Sequence, residues 1–214
     1  MRIFPIWFLI FLSAASLIFS CNQYRHMQKT QTDGTCVEKL KPDFLHAEYK
    51  TSVDVIGKHL SGLLLIKFMP DSSTRIVFTN EMGFSFFDFA FYADTGFIVY
   101  HIVPQMNKPA LIKTLRKDFE LIMFRNMDVS KSYNLTDSGN IYHAYPQIKG
   151  VNYYITDDQC RLLLKMQRSS NKKPVMEAFI FKSSPGNSPD SISIHHLNFN
   201  FFISLKKITP LATQ

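Results

Sequence analysis

The 214-residue sequence is poor in the residues and motifs that announce catalysis. Cysteine occurs three times, at Cys21, Cys36 and Cys160, without a CxxC pair or the Cys/His spacing of a zinc site. GxSxG, GxxxxGKS/T, HExxH and GxGxxG segments are all missing, which removes the common nucleophile elbow, phosphate loop, zinc-protease helix and dinucleotide fold. His26, His46, His59, His101, His143, His195 and His196 are scattered, and adjacent His195 and His196 would point to opposite faces of a strand, where they do not chelate one ion. Asp157-Asp158 precedes a strand and reads as a turn, not as a carboxylate pair for acid–base work. No catalytic residue, metal or cofactor is therefore expected. Repeats and low-complexity tracts are also lacking.

The chain opens on an apolar run. Arg2 supplies a lone positive charge, residues 3–12 read Ile-Phe-Pro-Ile-Trp-Phe-Leu-Ile-Phe-Leu, and the run reaches Phe19 through the small residues Ser13 to Ser16. A run this long could span a bilayer, but a basic start, an apolar centre and small residues near the cut form the order of a signal peptide. Leu17-Ile18-Phe19-Ser20 directly before Cys21 resembles the lipobox of bacterial lipoproteins. That resemblance implies a signal peptide at 1–20, acylation of Cys21 and anchoring to a membrane; an ordinary secreted protein and a retained helix are the alternatives. Asn22 is not the aspartate associated with inner-membrane retention, so the expected location is the outer membrane, facing the periplasm.

Cleavage takes away only Arg2, so 24 basic and 17 acidic residues become 23 and 17, a balance of about +6 over 194 residues. That length supports one domain with a sizeable core. The charge favours anionic partners such as lipid head groups; nucleic acid is not expected outside the cytoplasm. An oxidising compartment permits a Cys36–Cys160 disulfide, although one pair is not a framework.

Residues 21–41 are polar and aperiodic and read as a lipidated, flexible tether, with a single β-rich domain over 42–208 and a tail at 209–214. Alternation over 44–55 puts Tyr49, Thr51, Val53 and Val55 on one face. Strands follow over 59–69, 75–80, 84–92 and 97–103, separated by Pro70-Asp71-Ser72-Ser73, Gly83 and Ala93-Asp94-Thr95-Gly96. Gly62 inside a strand indicates a bulge or a close backbone approach. Over 107–124, Leu111, Leu115, Phe119, Ile122 and Met123 recur at helical spacing opposite Lys113, Arg116, Lys117 and Glu120. After a polar loop at 126–140, strands are expected over 141–145, 151–155, 160–167, 175–182 and 192–205. The last has two possible inward sets, Ile192, Ile194, His196, Asn198 and Asn200, or Leu197, Phe199, Phe201 and Ile203, of which the apolar set is the safer core face. The fold expected is mainly β (α+β): a curved antiparallel sheet, or half-open β-barrel, with one or more helices on its concave face.

The aromatic strand is the densest constellation. Met82, Phe84, Phe86, Phe87, Phe89 and Phe91 either line a space for acyl chains or form ordinary core. Asp88, in the same strand, faces solvent or a lumen. Gly62-Leu-Leu-Leu-Ile-Lys, Arg75-Ile-Val-Phe-Thr-Asn-Glu-Met-Gly-Phe-Ser-Phe-Phe-Asp-Phe and the helix Ala110-Leu-Ile-Lys-Thr-Leu-Arg-Lys-Asp-Phe119 resemble uncharacterised Gram-negative lipoproteins. In element order, over residues 44–205, the chain is similar to the lipoprotein carrier and receptor (LolA/LolB-like) superfamily. The resemblance implies a half-open barrel covered by helices, whose apolar cavity receives acyl chains. The functional expectation is a non-enzymatic, membrane-anchored binder of acyl chains or another apolar ligand, in lipoprotein transport or outer-membrane biogenesis. The alternative is a structural lipoprotein subunit that packs its aromatic face on an envelope protein partner.

Overall fold

The computed structural model describes residues 23–208, apart from 33, 56, 94–95 and 184–187. The expected signal peptide at 1–20, Cys21 and the expected tail at 209–214 lie outside the described residues.

In chain order the elements are β1 (Gln28–Thr30), α1 (Cys36–Leu40), β2 (His46–Val55), β3 (Lys58–Phe68), β4 (Thr74–Thr79), β5 (Ser85–Phe91), β6 (Phe97–Ile102) and α2 (Pro109–Ile122). A 3-10 turn (Val129–Lys131) follows, then β7 (Tyr133–Asp137), β8 (Asn140–Pro146), β9 (Val151–Asp157), β10 (Leu163–Ser169), β11 (Pro174–Phe181), β12 (Ser191–His196) and β13 (Phe201–Lys207). All strands join one antiparallel sheet in the order β1-β7-β8-β9-β10-β11-β12-β13-β2-β3-β4-β5-β6, left open between β1 and β6. The fold is mainly β with few helices, as expected from the strand rhythm.

Register builds the inner face. Leu60 pairs with Val53, Val53 with Ile203, Ile203 with Ile194, Ile194 with Ala178, Ala178 with Met166, Met166 with Tyr154 and Tyr154 with His143. Side chains directly opposite one another lie on the same face, so this row carries one buried surface across eight strands. On β2 the burial alternates as the sequence requires, with Ala47, Tyr49, Thr51 and Val53 inward.

The sheet must curl. Phe119 of α2 meets Phe87 on β5, with ring centroids 6.0 Å apart, while the carbonyl of Leu121 accepts a 3.1 Å hydrogen bond from the Tyr154 hydroxyl on β9. In a flat sheet, β9 and β5 would stand eight strand spacings, or about 38 Å, apart. A helix of 14 residues is only about 21 Å long. One helix touches both only because the sheet wraps around it.

Helix α2 begins with Pro109 in its first turn, where the missing N–H costs nothing. It buries Leu115, Phe119, Leu121 and Ile122. It stops at Phe124, whose φ of 57° is left-handed and unusual for a bulky residue. Packing against the tilted ring of Tyr154, with centroids 4.4 Å apart, holds Phe124 there. Gly62 takes the close approach foreseen for it: a Cβ at that position would lie 1.9 Å from the Thr79 carbonyl oxygen.

Three expectations need correction. The flexible tether over 21–41 is not what its described part forms: Gln28–Thr30 pairs with β7, and α1 buries Cys36 and Val37. A Cys36–Cys160 disulfide fixes α1 to the β9–β10 turn, so covalent linkage orders a segment that is too polar to order itself. The loop at 126–140 contains β7; its alternating Tyr-Asn-Leu-Thr-Asp is closed onto β8 by Ser138-Gly139, both at positive φ as a tight hairpin demands. The single strand over 192–205 is two strands, parted by Leu197-Asn198-Phe199-Asn200. That turn resets the alternation, so Ile192 and Ile194 from one expected set and Phe201 and Ile203 from the other are all buried.

Candidate functional site

The concave face and the helix seated on it form the candidate site. Phe87, Phe89 and Phe91 point inward and are buried, Phe87 stacking on Phe89 at 4.4 Å and Phe91 meeting Phe119 edge-on at 6.4 Å. The six aromatic-strand residues therefore do not line one space. Phe86 is half-buried at the margin against Phe78. Met82 and Phe84 stand on the β4–β5 turn, 86 % and 56 % exposed. Turn geometry explains the split: Asn80 accepts backbone N–H bonds from Met82 and Phe84 through its side-chain oxygen, which turns both side chains away from the core.

Only a small void remains under α2. It holds about 40 Å³ and is bounded by apolar side chains, among them Val55, Leu60, Phe87, Met106, Leu111 and Phe201. Ligand pockets for molecules of drug size run to about 300–1,000 Å³, so an acyl chain enters only where α2 moves away from the sheet. The void lies beside the start of α2 and the β12–β13 turn.

One polar cluster fastens α2 to the sheet from within. Asp118, fully buried, accepts from Arg168 Nη1 on β10 at 2.7 Å and meets His196 Nε2 on β12 at 2.8 Å. The side chains of Arg168 and His196 are 14 % and 2 % exposed. The sequence contained the signal for Asp118: an acid three residues after Leu115 and beside Phe119 falls on the apolar stripe, where a carboxylate needs a partner. His196 belonged to one of the two possible inward sets. His195 faces outward onto Phe202, so the two adjacent histidines do part to opposite faces.

Outside this interior the arginines near the rim of the sheet are held locally. Asp88 lies on the outer face, where Arg75 grips both its oxygens at 2.7 and 2.6 Å and stands 4.5 Å from the Tyr100 ring. The ion pair with Asp88 raises the Arg75 pKa. Arg125 closes the C-terminal side of α2 by donating to the Tyr92 carbonyl at 3.1 Å, and burial lowers its pKa. Among the described residues no group of three or more histidine, cysteine or acidic side chains could hold a metal ion.

Helix α1 plugs the end of the barrel away from the void. Cys36 and Val37 are about 1 % exposed, and Lys182 Nζ donates to the Leu40 carbonyl. Behind the disulfide lies His143, with Nε2 3.2 Å from Cys36 Sγ and 3.1 Å from Thr156 Oγ1. The Thr156 hydroxyl donates to the Asp157 carbonyl, so His143 Nε2 carries the proton and donates to Thr156. Burial pulls the His143 pKa down to about 4.

An open antiparallel sheet curled over a central helix, with an apolar interior closed at one end, is the class of architecture defined here. It is similar to a LolA superfamily protein from Nitrosomonas europaea, with a TM-score of 0.50 at 8 % identity over 84 % of this chain and 93 % of that one. A DUF1329 family protein from Desulfovibrio piger aligns with a TM-score of 0.42 at 10 % identity over 79 % of this chain and 86 % of that one. No protein-family model and no curated protein matches the sequence. The chain thus has a LolA-superfamily-like fold at low sequence identity.

Proposed function

We propose that this protein is a carrier-like component of the bacterial cell envelope that shelters an acyl chain between its curled sheet and α2, held to the outer membrane by an acylated Cys21. The observation that carries the reading is the internal fastening of α2. A helix that fills an apolar half-barrel, yet is tied to it by a charge cluster at Asp118 and the Tyr154 hydroxyl bond to Leu121, is a displaceable cover. The lipobox-like sequence, the disulfide suited to an oxidising compartment and the LolA-like fold support the location.

The energetics permit the exchange. Unpairing a buried charge cluster costs on the order of 3–5 kcal/mol, while each methylene buried contributes about 0.8 kcal/mol. An acyl chain that buries about ten methylenes outweighs the cluster and leaves a surplus to offset part of the lost helix packing.

Lipid extracted from the full-length protein isolated from membranes, analysed by mass spectrometry apart from the covalent anchor, tests the proposal. A stoichiometric acyl lipid is the expected result. Asp118→Asn should raise the occupancy by loosening α2. Absence of lipid from both forms, together with no uptake of a fluorescent fatty acid by either, contradicts the proposal.

A further inference from the structure

The two ends of the half-barrel differ in kind. Following the strands, the β2–β3, β4–β5, β6–α2, β8–β9, β10–β11 and β12–β13 connections all fall at the end where the void lies. That rim carries exposed Lys58, Lys108, Lys149, Lys172 and Lys173, none of them in an ion pair among the described residues. Its acidic residues are few and mostly paired: Asp54 with His59, Asp128 with Lys131 and, in the groove behind, Glu120 with Arg116, each at 2.7 Å, which leaves Glu81. Behind the rim, Lys113 and Lys117 of α2 share a groove with Ile148 and Lys149. The opposite rim mixes its signs, with Asp71, Asp137, Asp157 and Asp190 against Lys67, Arg161, Lys206 and Lys207.

Large apolar side chains stand in water at both ends, Leu45, Phe68, Leu162 and Phe181 at the far one, but those at the basic rim stand beside the lysines that make no ion pair among the described residues. Ile148 is fully exposed, Met82 86 %, Phe84 56 %, Leu197 47 % and Phe199 43 %. Each sits at a turn, Phe84 and Phe199 leaning on Phe86 and Phe201 behind them. Lysine beside an apolar tip is the composition that binds the interface of an anionic bilayer: ammonium groups meet phosphates while apolar side chains enter the acyl boundary.

The first described residue, Gln23, is at this rim. The Gln23 N–H donates to the Lys172 carbonyl at 2.9 Å, and Tyr24 stacks on Tyr153 and bonds Ser169. Cys21 is two residues earlier, so it can be no more than about 7 Å of chain away. An acyl group on Cys21 would therefore hold this rim, and not the end plugged by α1, against the membrane.

We infer that the rim formed by these turns is a docking surface for the anionic head-group layer of a lipid bilayer, so that the half-barrel stands on the membrane with its void facing the lipid. The inference rests on the acylation reading only for the short leash; the composition of the rim stands apart from it.

The test uses the mature chain carrying Cys21→Ser, which removes the anchor and leaves the rim. It should sediment with phosphatidylcholine vesicles containing phosphatidylglycerol and not with phosphatidylcholine alone. Reversing Lys149, Lys172 and Lys173 to Glu should lower partitioning by about 100-fold or more, since each lysine near such a surface contributes about fivefold. Lys67→Glu with Lys206→Glu, near the other end, should bind like the parent, and unchanged thermal melts show that all the variants are folded. Equal partitioning of parent and rim variant overturns the inference, as does no partitioning by the parent. The intact mass of the membrane-extracted chain separates the two readings. Unmodified Cys21 with rim-dependent binding removes the anchor and keeps the docking; acylated Cys21 with rim-independent binding does the reverse.

Discussion

His143 carries the clearest pH dependence of any single side chain. Burial holds its pKa near about 4, against 6.5 for the free imidazole. As pH falls below 6.5 the unfolded chain takes up the proton first, so the folded state loses stability from there down to about pH 4, and no more below. The full loss is about 3 kcal/mol. Urea unfolding near about pH 7.5 and about pH 4.5 should show this fall, and His143→Gln should show a smaller one; equal falls would contradict the assignment. At this scale the sequence was only partly legible. Tyr49, Val53 and Gly62 were readable because strand alternation fixes a face and glycine marks close backbone. His143 was not, because nothing local says that Cys36, over a hundred positions away, will lie against it.

Among the elements, α1 and α2 answer to different constraints. Helix α1 has five residues and no side-chain cap, which is too short to hold itself in water. The Cys36–Cys160 bond, across 124 residues, holds it in place. Replacing both cysteines by serine should cost on the order of 4–5 kcal/mol by the loop-entropy argument. Local hydrogen exchange should rise first in α1 and at the β9–β10 turn; a thermal midpoint unchanged from the parent would show that α1 docks without the bond. Helix α2 is fixed by Asp118. Asp118→Ala leaves Arg168 and His196 buried without their carboxylate and should destabilise the fold by on the order of 3–5 kcal/mol, measured by chemical denaturation. A change below 1 kcal/mol would show that apolar packing alone seats the helix, 1 kcal/mol being about the worth of a surface pair. The sequence revealed α2 through its 3.6-residue period and most strands through their alternation. Hairpin turns made of Asn, Leu and Phe, as at 197–200, escaped because their apolar residues continue the strand pattern while the backbone reverses.

On the scale of the molecule, the strand order was not legible. Periodicity says which residues form strands, but not that β13 returns between β12 and β2 to join the two halves of the sheet. Curvature follows from that closure around α2 and not from any one segment. The distribution of charge between the two rims likewise exists only once the turns are assembled, so a net charge of +7 gave no direction.

The account turns on whether acyl chains occupy the space beneath α2. Photolabelling answers this most directly: a fatty acid bearing a diazirine near its methyl end is irradiated with the full-length protein, and the modified residues are identified by mass spectrometry. Labels should fall on the inner surface, on Leu115 and Phe119 of α2 and on Phe78 and Phe87 of the facing strands, and unlabelled palmitate should suppress them. Labels confined to the rim and outer face, or labels that palmitate does not displace, would contradict it.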